Sequence, residues 1–180
     1  MESCIVSEVK KFDEVEGLFK EASKLNHTNS QNYNVDKMRK RWEKYLLFIT
    51  VAKEGEIISF AGVYPFGNNL VRVCDRHFTK PQYRQKSFDK KVSNPLRPAV
   101  DYIIPYQTRW AKKLGYDCFF SIQELKKRNS LIRLVKLLDP TLGYNVLPGL
   151  YATCNPNDST CWQNIASTTN NIHLPNRPFL

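Results

Sequence analysis

The chain of 180 residues predicts an α/β (α+β) fold, and three observations lead to it. Strand-like and helix-like segments follow one another in the order β-α-α-β-β-β-α-β-α-β-β, a layout of mixed sheet and flanking helices. The run Glu56 to Tyr64 is almost continuously apolar, as in a central strand covered on both faces. A hydrophobic content of 42% with 12% aromatic residues suffices for one packed core at this length. The expectation is a single domain over residues 1–154, with about six to seven strands and four helices. Residues 155–180, rich in Asn, Thr, Ser and Pro, read as an irregular extension.

Each element has its own signal. Cys4 to Val9 is a short strand. Asp13 to Leu25 is an amphipathic helix with Val15, Leu18, Phe19, Ala22 and Leu25 on one face. Residues 26–34 form a polar loop, and Asp36 is read as the cap of a second helix that turns Met38, Trp42, Tyr45 and Leu46 inward. Its other face carries Lys37, Arg39, Lys40, Arg41 and Lys44 and reads as a solvated basic surface, with a nucleic-acid surface as the sharper alternative. Leu47 to Lys53 and Glu56 to Tyr64 make a hairpin around Glu54-Gly55. Leu70 to Phe78 is a strand with an unusual load of charge: Arg72, Asp75, Arg76 and His77. After it come a basic turn and the breakers Asn94-Pro95 and Arg97-Pro98. A helix with Val100, Ile103, Trp110, Ala111 and Leu114 inward then runs to a C-cap at Gly115, and Pro105 either kinks it or starts it. Tyr116 to Ile122 is a strand, Ser130 to Leu138 a helix stopped by Asp139-Pro140, and Tyr144 to Leu147 and Leu150 to Cys154 two short strands.

Composition narrows the function. The net charge of +10 favours anionic partners such as nucleotide cofactors or acidic substrates. Five dispersed cysteines, with no secretion-type leader and no long apolar run, point to reduced thiols, a cytoplasmic setting and no membrane association. Histidine and cysteine are too scattered for a zinc site, so no metal is expected. There is no nucleotide-binding glycine loop and no G-x-S-x-G elbow.

Two segments carry a family resemblance. The first is Thr79-Lys80-Pro81-Gln82-Tyr83-Arg84-Gln85-Lys86-Ser87-Phe88-Asp89. The second is the helix led by Asn129-Ser130-Leu131, which continues through Lys136 to Gly143-Tyr144. Together with the element order they resemble the GNAT superfamily of acyl-CoA-dependent N-acyltransferases, over roughly Cys4 to Cys154. The family's cofactor motif usually reads Val-x-Pro-x-Tyr-Arg-Gly-x-Gly-x-Gly. Here its glycines are replaced by Gln85, Ser87 and Asp89, and no glycine occurs between Gly67 and Gly115. Such glycines let main-chain amides approach a diphosphate closely.

The resemblance implies acetyl-CoA or another acyl-CoA as co-substrate and a small-molecule or protein amine as acceptor. It implies that main chain around Phe78 and Thr79 holds the pantetheine arm, that Arg84, Gln85, Lys86, Ser87 and Phe88 hold the diphosphate, and that Asn129 leads the second motif. An amine must lose a proton before it attacks a thioester, and Asp75 and His77 alternate onto one strand face as candidate bases. For Asp75 the competing reading is a pair with Arg72, Arg76 or a neighbouring lysine; for His77 it is a satisfied hydrogen-bonded imidazole. Lys136 stands where many relatives have a tyrosine that protonates the departing thiolate, and Tyr144 and Tyr151 are nearby substitutes. The missing glycines and tyrosine also suit a catalytically inactive binding or interaction module. No RNA- or DNA-recognition motif accompanies the charge, which disfavours nucleic acid as partner.

Overall fold

The computed structural model describes residues 4–25, 33–67, 69–84, 96–125, 130–146 and 160–167. Among them are strands β1 (Ile5–Glu8), β2 (Leu47–Lys53), β3 (Glu56–Pro65), β4 (Leu70–Thr79), β5 (Asp117–Leu125), β6 (Asn145–Val146) and β7 (Thr160–Ser167). The helices are α1 (Glu16–Leu25), α2 (Val35–Arg41), α3 (Ile104–Lys113) and α4 (Ser130–Leu137). This is a mixed α/β architecture, and as far as β6 the order of strands and helices is the expected one; the strand expected at Leu150 to Cys154 lies outside the described residues. Two compact units divide the chain: Met1–Pro65 with Val73–Gln107, and Phe66–Arg72 with Thr108–Leu180.

In the first unit the strands run in the order β1-β2-β3-β4. The hairpin closes with Lys53 opposite Glu56, and both turn residues, Glu54 (φ 52°) and Gly55 (φ 80°), are left-handed, as a tight hairpin turn requires. Successive residues of β3 from Ile58 to Val63 are all buried, so this strand is covered on both faces as its apolar run predicts. Phe19 of α1 is the hub of the core. It is fully buried, with ring centroids of Phe60, Phe12, Phe48 and Tyr33 at 4.7, 5.6, 5.8 and 6.4 Å. The packing continues from Phe60 to Phe78 at 5.5 Å and from Phe78 to Tyr33 at 5.9 Å. The core therefore reaches the end of β4, where the candidate site lies.

Several local details differ from the sequence reading. Asn34, not Asp36, caps α2: its side chain accepts from the Lys37 N–H at 2.9 Å. Asp36 instead sits in the first turn, where its charge complements the helix dipole. A short 3-10 turn, Phe12–Glu14, precedes α1. Leu25, Leu46 and Leu114 are exposed, whereas Gln107 and Thr108 are fully buried. Before α3 the backbone makes a π-helical turn, Pro98–Ile103. That register suits Pro105, which has no N–H to give to an ordinary α-helical bond. The proline thus lies at the start of the α-helix rather than in its middle.

In the second unit the first three residues of β4 pair in parallel with β5, Leu70 opposite Asp117 and Arg72 opposite Phe119. Strand β7 lies between β5 and β6, antiparallel to both. It falls inside the segment read as irregular. Its Thr160-Cys161-Trp162-Gln163-Asn164 half offers little apolar alternation, so pairing with β5, from Phe119↔Ser167 to Leu125↔Thr160, and not its own pattern, defines it. Asp139 caps the turn Pro140–Leu142 through the Thr141 N–H at 2.9 Å, and Gly143 follows in the left-handed region at φ 76°. Among the described residues no helix is long and apolar enough to cross a membrane.

Candidate active site

Strand β4 changes character at its middle. Cys74 (φ 59°) and Arg76 (φ 51°) both occupy the left-handed region, which costs non-glycine residues free energy and persists only when surroundings enforce it. Gln107 provides one such constraint. Its Oε1 accepts from the Cys74 N–H at 2.7 Å while its Nε2 donates to the Ala61 carbonyl at 3.0 Å. Both ends of a fully buried amide are thus used to hold β4 against β3.

Between the two left-handed residues stands Asp75, 3% exposed. The Tyr45 hydroxyl donates to its Oδ2 at 2.5 Å, a charge-assisted bond of the stronger kind. Burial, then the Asp75 charge, pushes the Tyr45 phenol above the ordinary range, so it remains a donor. The Tyr45 ring lies over Gly62, where an added Cβ would meet its Cδ1 and Cε1 at 2.4 Å and Phe48 Cδ2 at 2.8 Å. A glycine at that point of β3 is what lets the phenol reach Asp75. Sequence periodicity had turned Tyr45 inward, but a contact across 30 residues leaves no local signal.

The end of β4 is heavily hydrogen-bonded by side chains. Tyr33 donates to the His77 carbonyl at 2.6 Å, Ser59 to the Phe78 carbonyl at 2.7 Å, and Arg84 Nε to the Thr79 carbonyl at 2.5 Å. Burial pushes the Tyr33 phenol up to about 12. His77 Nε2 lies 2.9 Å from Thr79 Oγ1 and 3.3 Å from Ser59 Oγ, with the two hydroxyls 2.9 Å apart. A continuous donor chain from imidazole through Thr79 and Ser59 to the Phe78 carbonyl satisfies all four groups.

Burial, helped by the Arg84 charge, lowers His77 to about 4, so the imidazole is neutral near pH 7. In the unfolded chain the group titrates near its ordinary value of about 6.5. The unfolded state therefore takes up the proton first. His77 should leave stability untouched above about pH 7 and lower it by up to about 3 kcal/mol as pH falls from 6.5 to 4. Urea midpoints of the wild type and His77→Gln, compared between pH 7.5 and 4.5, should diverge toward acid, the variant being less sensitive. Parallel curves would show that the neutral imidazole is not responsible.

The basic turn is internally engaged. The N–H groups of Lys80, Tyr83 and Arg84 go to the carbonyls of Ile58, Lys80 and Pro81. Glu56 takes the Lys80 ammonium at 2.9 Å and the Tyr83 hydroxyl at 2.8 Å. Arg84 is exposed, tethered by Nε and stacked over Phe78 at 5.2 Å, and its terminal nitrogens have no other partner among the described residues. Gln85, Lys86, Ser87, Phe88, Asn129 and Tyr151 lie outside the described residues.

Asp75, His77, Phe78, Thr79 and Arg84 thus all belong to the first unit. The remaining two candidates belong to the second. Lys136 is exposed on α4, and Tyr144 is buried, its hydroxyl 2.7 Å from Thr108 Oγ1 and its ring edge-on to Phe120 at 4.9 Å.

No family model and no curated protein matches the sequence. The fold, by contrast, has many solved counterparts. The N-acetyltransferase of Staphylococcus aureus Mu50 superposes with a TM-score of 0.61 at 12% identity, covering 92% of this chain and 97% of that one. The ribosomal-protein-S18-alanine N-acetyltransferase of Escherichia coli gives 0.58 at 13% identity, covering 96% and 100%. The PaiA N-acetyltransferase of Thermoplasma acidophilum, solved in complex with coenzyme A, gives 0.53 at 14% identity, covering 92% and 98%. The chain has the fold of GNAT-family acetyltransferases.

Proposed function

We propose that the protein is an acyl-CoA-dependent N-acyltransferase, most simply an acetyltransferase. The observation that carries this reading is Asp75, a buried carboxylate held by Tyr45 between the two left-handed residues of β4, on a fold shared with N-acetyltransferases. Bound acyl-CoA supplies the thioester carbonyl that an amine attacks. Asp75 accepts the proton that the acceptor ammonium must lose, and Tyr45 keeps the receiving carboxylate oriented. Arg84 fits the diphosphate: its exposed guanidinium is fixed at the end of β4 and presents two nitrogens to an anion. His77, neutral and bonded to two hydroxyls, acts as a strut for the strand end.

A second reading, an inactive binding module, is favoured by one specific observation. Three successive carbonyls, His77 to Thr79, and three turn amides already have protein partners, which removes main-chain groups a pantetheine arm would use. Measurement of thiol release from acetyl-CoA over a broad panel of primary amines separates the two. The enzyme reading expects release that requires an amine and saturates with it. Release at the spontaneous rate with every amine supports the module.

A further inference from the structure

Arg41 stands apart from the other cations of α2. Arg39 is neutralised by Asp13 at 2.9 Å and by Glu16, and Lys37 and Lys40 are exposed to solvent. Arg41 is half-buried and makes no ion pair among the described residues. Its guanidinium lies 4.7 Å above the Tyr64 ring. Tyr64 meets Tyr45 edge-on at 5.3 Å, and Tyr45 donates to Asp75. Two tyrosines thus link a fixed cation to the carboxylate assigned to the amine, and the two charges are close enough to interact electrostatically. Tyr64 holds the guanidinium from its ring and by a side-chain hydrogen bond, and the other N–H groups of the fork match carboxylate and phosphate oxygens of a ligand.

We infer that the acceptor is an amine that also carries an anionic group, a carboxylate or a phosphate, with Arg41 reading the anion while Asp75 meets the ammonium. The inference rests on the acyltransferase reading for the role of Asp75, but the anion contact itself stands on Arg41 and Tyr64. The sequence reading had counted Arg41 among solvated cations. Its stacking on a strand residue 23 positions away could not be read from helical periodicity.

Calorimetric binding tests this without needing turnover. The probes are the standard L-amino acids, each beside its C-terminal amide, and O-phosphoethanolamine beside ethanolamine, titrated into the full chain with and without CoA. At least one anionic amine should bind about tenfold or more tightly than its uncharged counterpart. Arg41→Gln and Arg41→Ala should erase that difference, and Lys40→Ala should keep it. Whether the preferred probe is an amino acid or the phosphate ester identifies the anion. Equal binding of acids and amides, no binding of any anionic probe at millimolar concentration, or a preference that survives both Arg41 variants overturns the inference. CoA binding in the same titrations keeps the two proposals apart. CoA bound without anion preference sinks only the acceptor class, whereas Arg41-dependent anion binding without CoA sinks only the acyltransferase reading.

Discussion

Asp75→Asn should lower kcat/KM for amine acetylation by about 10² to 10⁴, the range associated with loss of a positioned proton acceptor. Asparagine keeps the size of the side chain and an oxygen that can accept from Tyr45, so the fold and CoA affinity should change little. The loss should appear in kcat more than in the KM for acetyl-CoA, because the proton leaves the amine on the way to the transition state. His77→Gln provides the contrast. An imidazole that titrates near 4 has little affinity for a proton at neutral pH, so its replacement should lessen the loss of stability toward acid without a comparable drop in rate. Initial rates of both variants at saturating acetyl-CoA decide this, and equal losses would remove the distinction drawn between the two residues.

The largest effect on stability should come from Phe19→Ala. The side chain is fully buried and touches four aromatic rings, and truncations of this kind cost about 3–5 kcal/mol. For a domain of this size that corresponds to a drop in Tm on the order of ten degrees. The cost should reach the site, because Phe60 links Phe19 to Phe78, and Tyr33 links it to the His77 carbonyl. Chemical denaturation gives the stability, and a change under about 1 kcal/mol would mean that the aromatic hub repacks freely.

Much of the architecture is legible in the residues because burial follows period. The apolar run of β3, the inward face of α1 and the breakers around the hairpin each state their own conformation. What stays hidden depends on partners distant in sequence. The left-handed backbone at Cys74 is held by Gln107, 33 residues away, and nothing in a run of Val, Cys, Asp, Arg and His announces it. Strand β7 shows little apolar alternation in its first half and is specified by pairing. The choice of Asn34 over Asp36 as cap is a two-residue matter that either side chain could satisfy chemically. In the candidate site, charge on a buried strand was the visible clue to Asp75, whereas Tyr45, Gln107 and Arg41 were visible only as a core residue, a polar residue and a surface cation. Gly62 gave no signal at all, since its role is to be absent beneath a ring.

Thermal unfolding in the presence of CoA is the most direct test of the central claim that the end of β4 receives a CoA diphosphate. At about a hundred times the dissociation constant, CoA should add about 2.7 kcal/mol of stability. Arg84→Ala should abolish that gain and Lys113→Ala should preserve it. An unchanged melting curve at millimolar CoA, or a gain that Arg84→Ala leaves intact, would contradict the account.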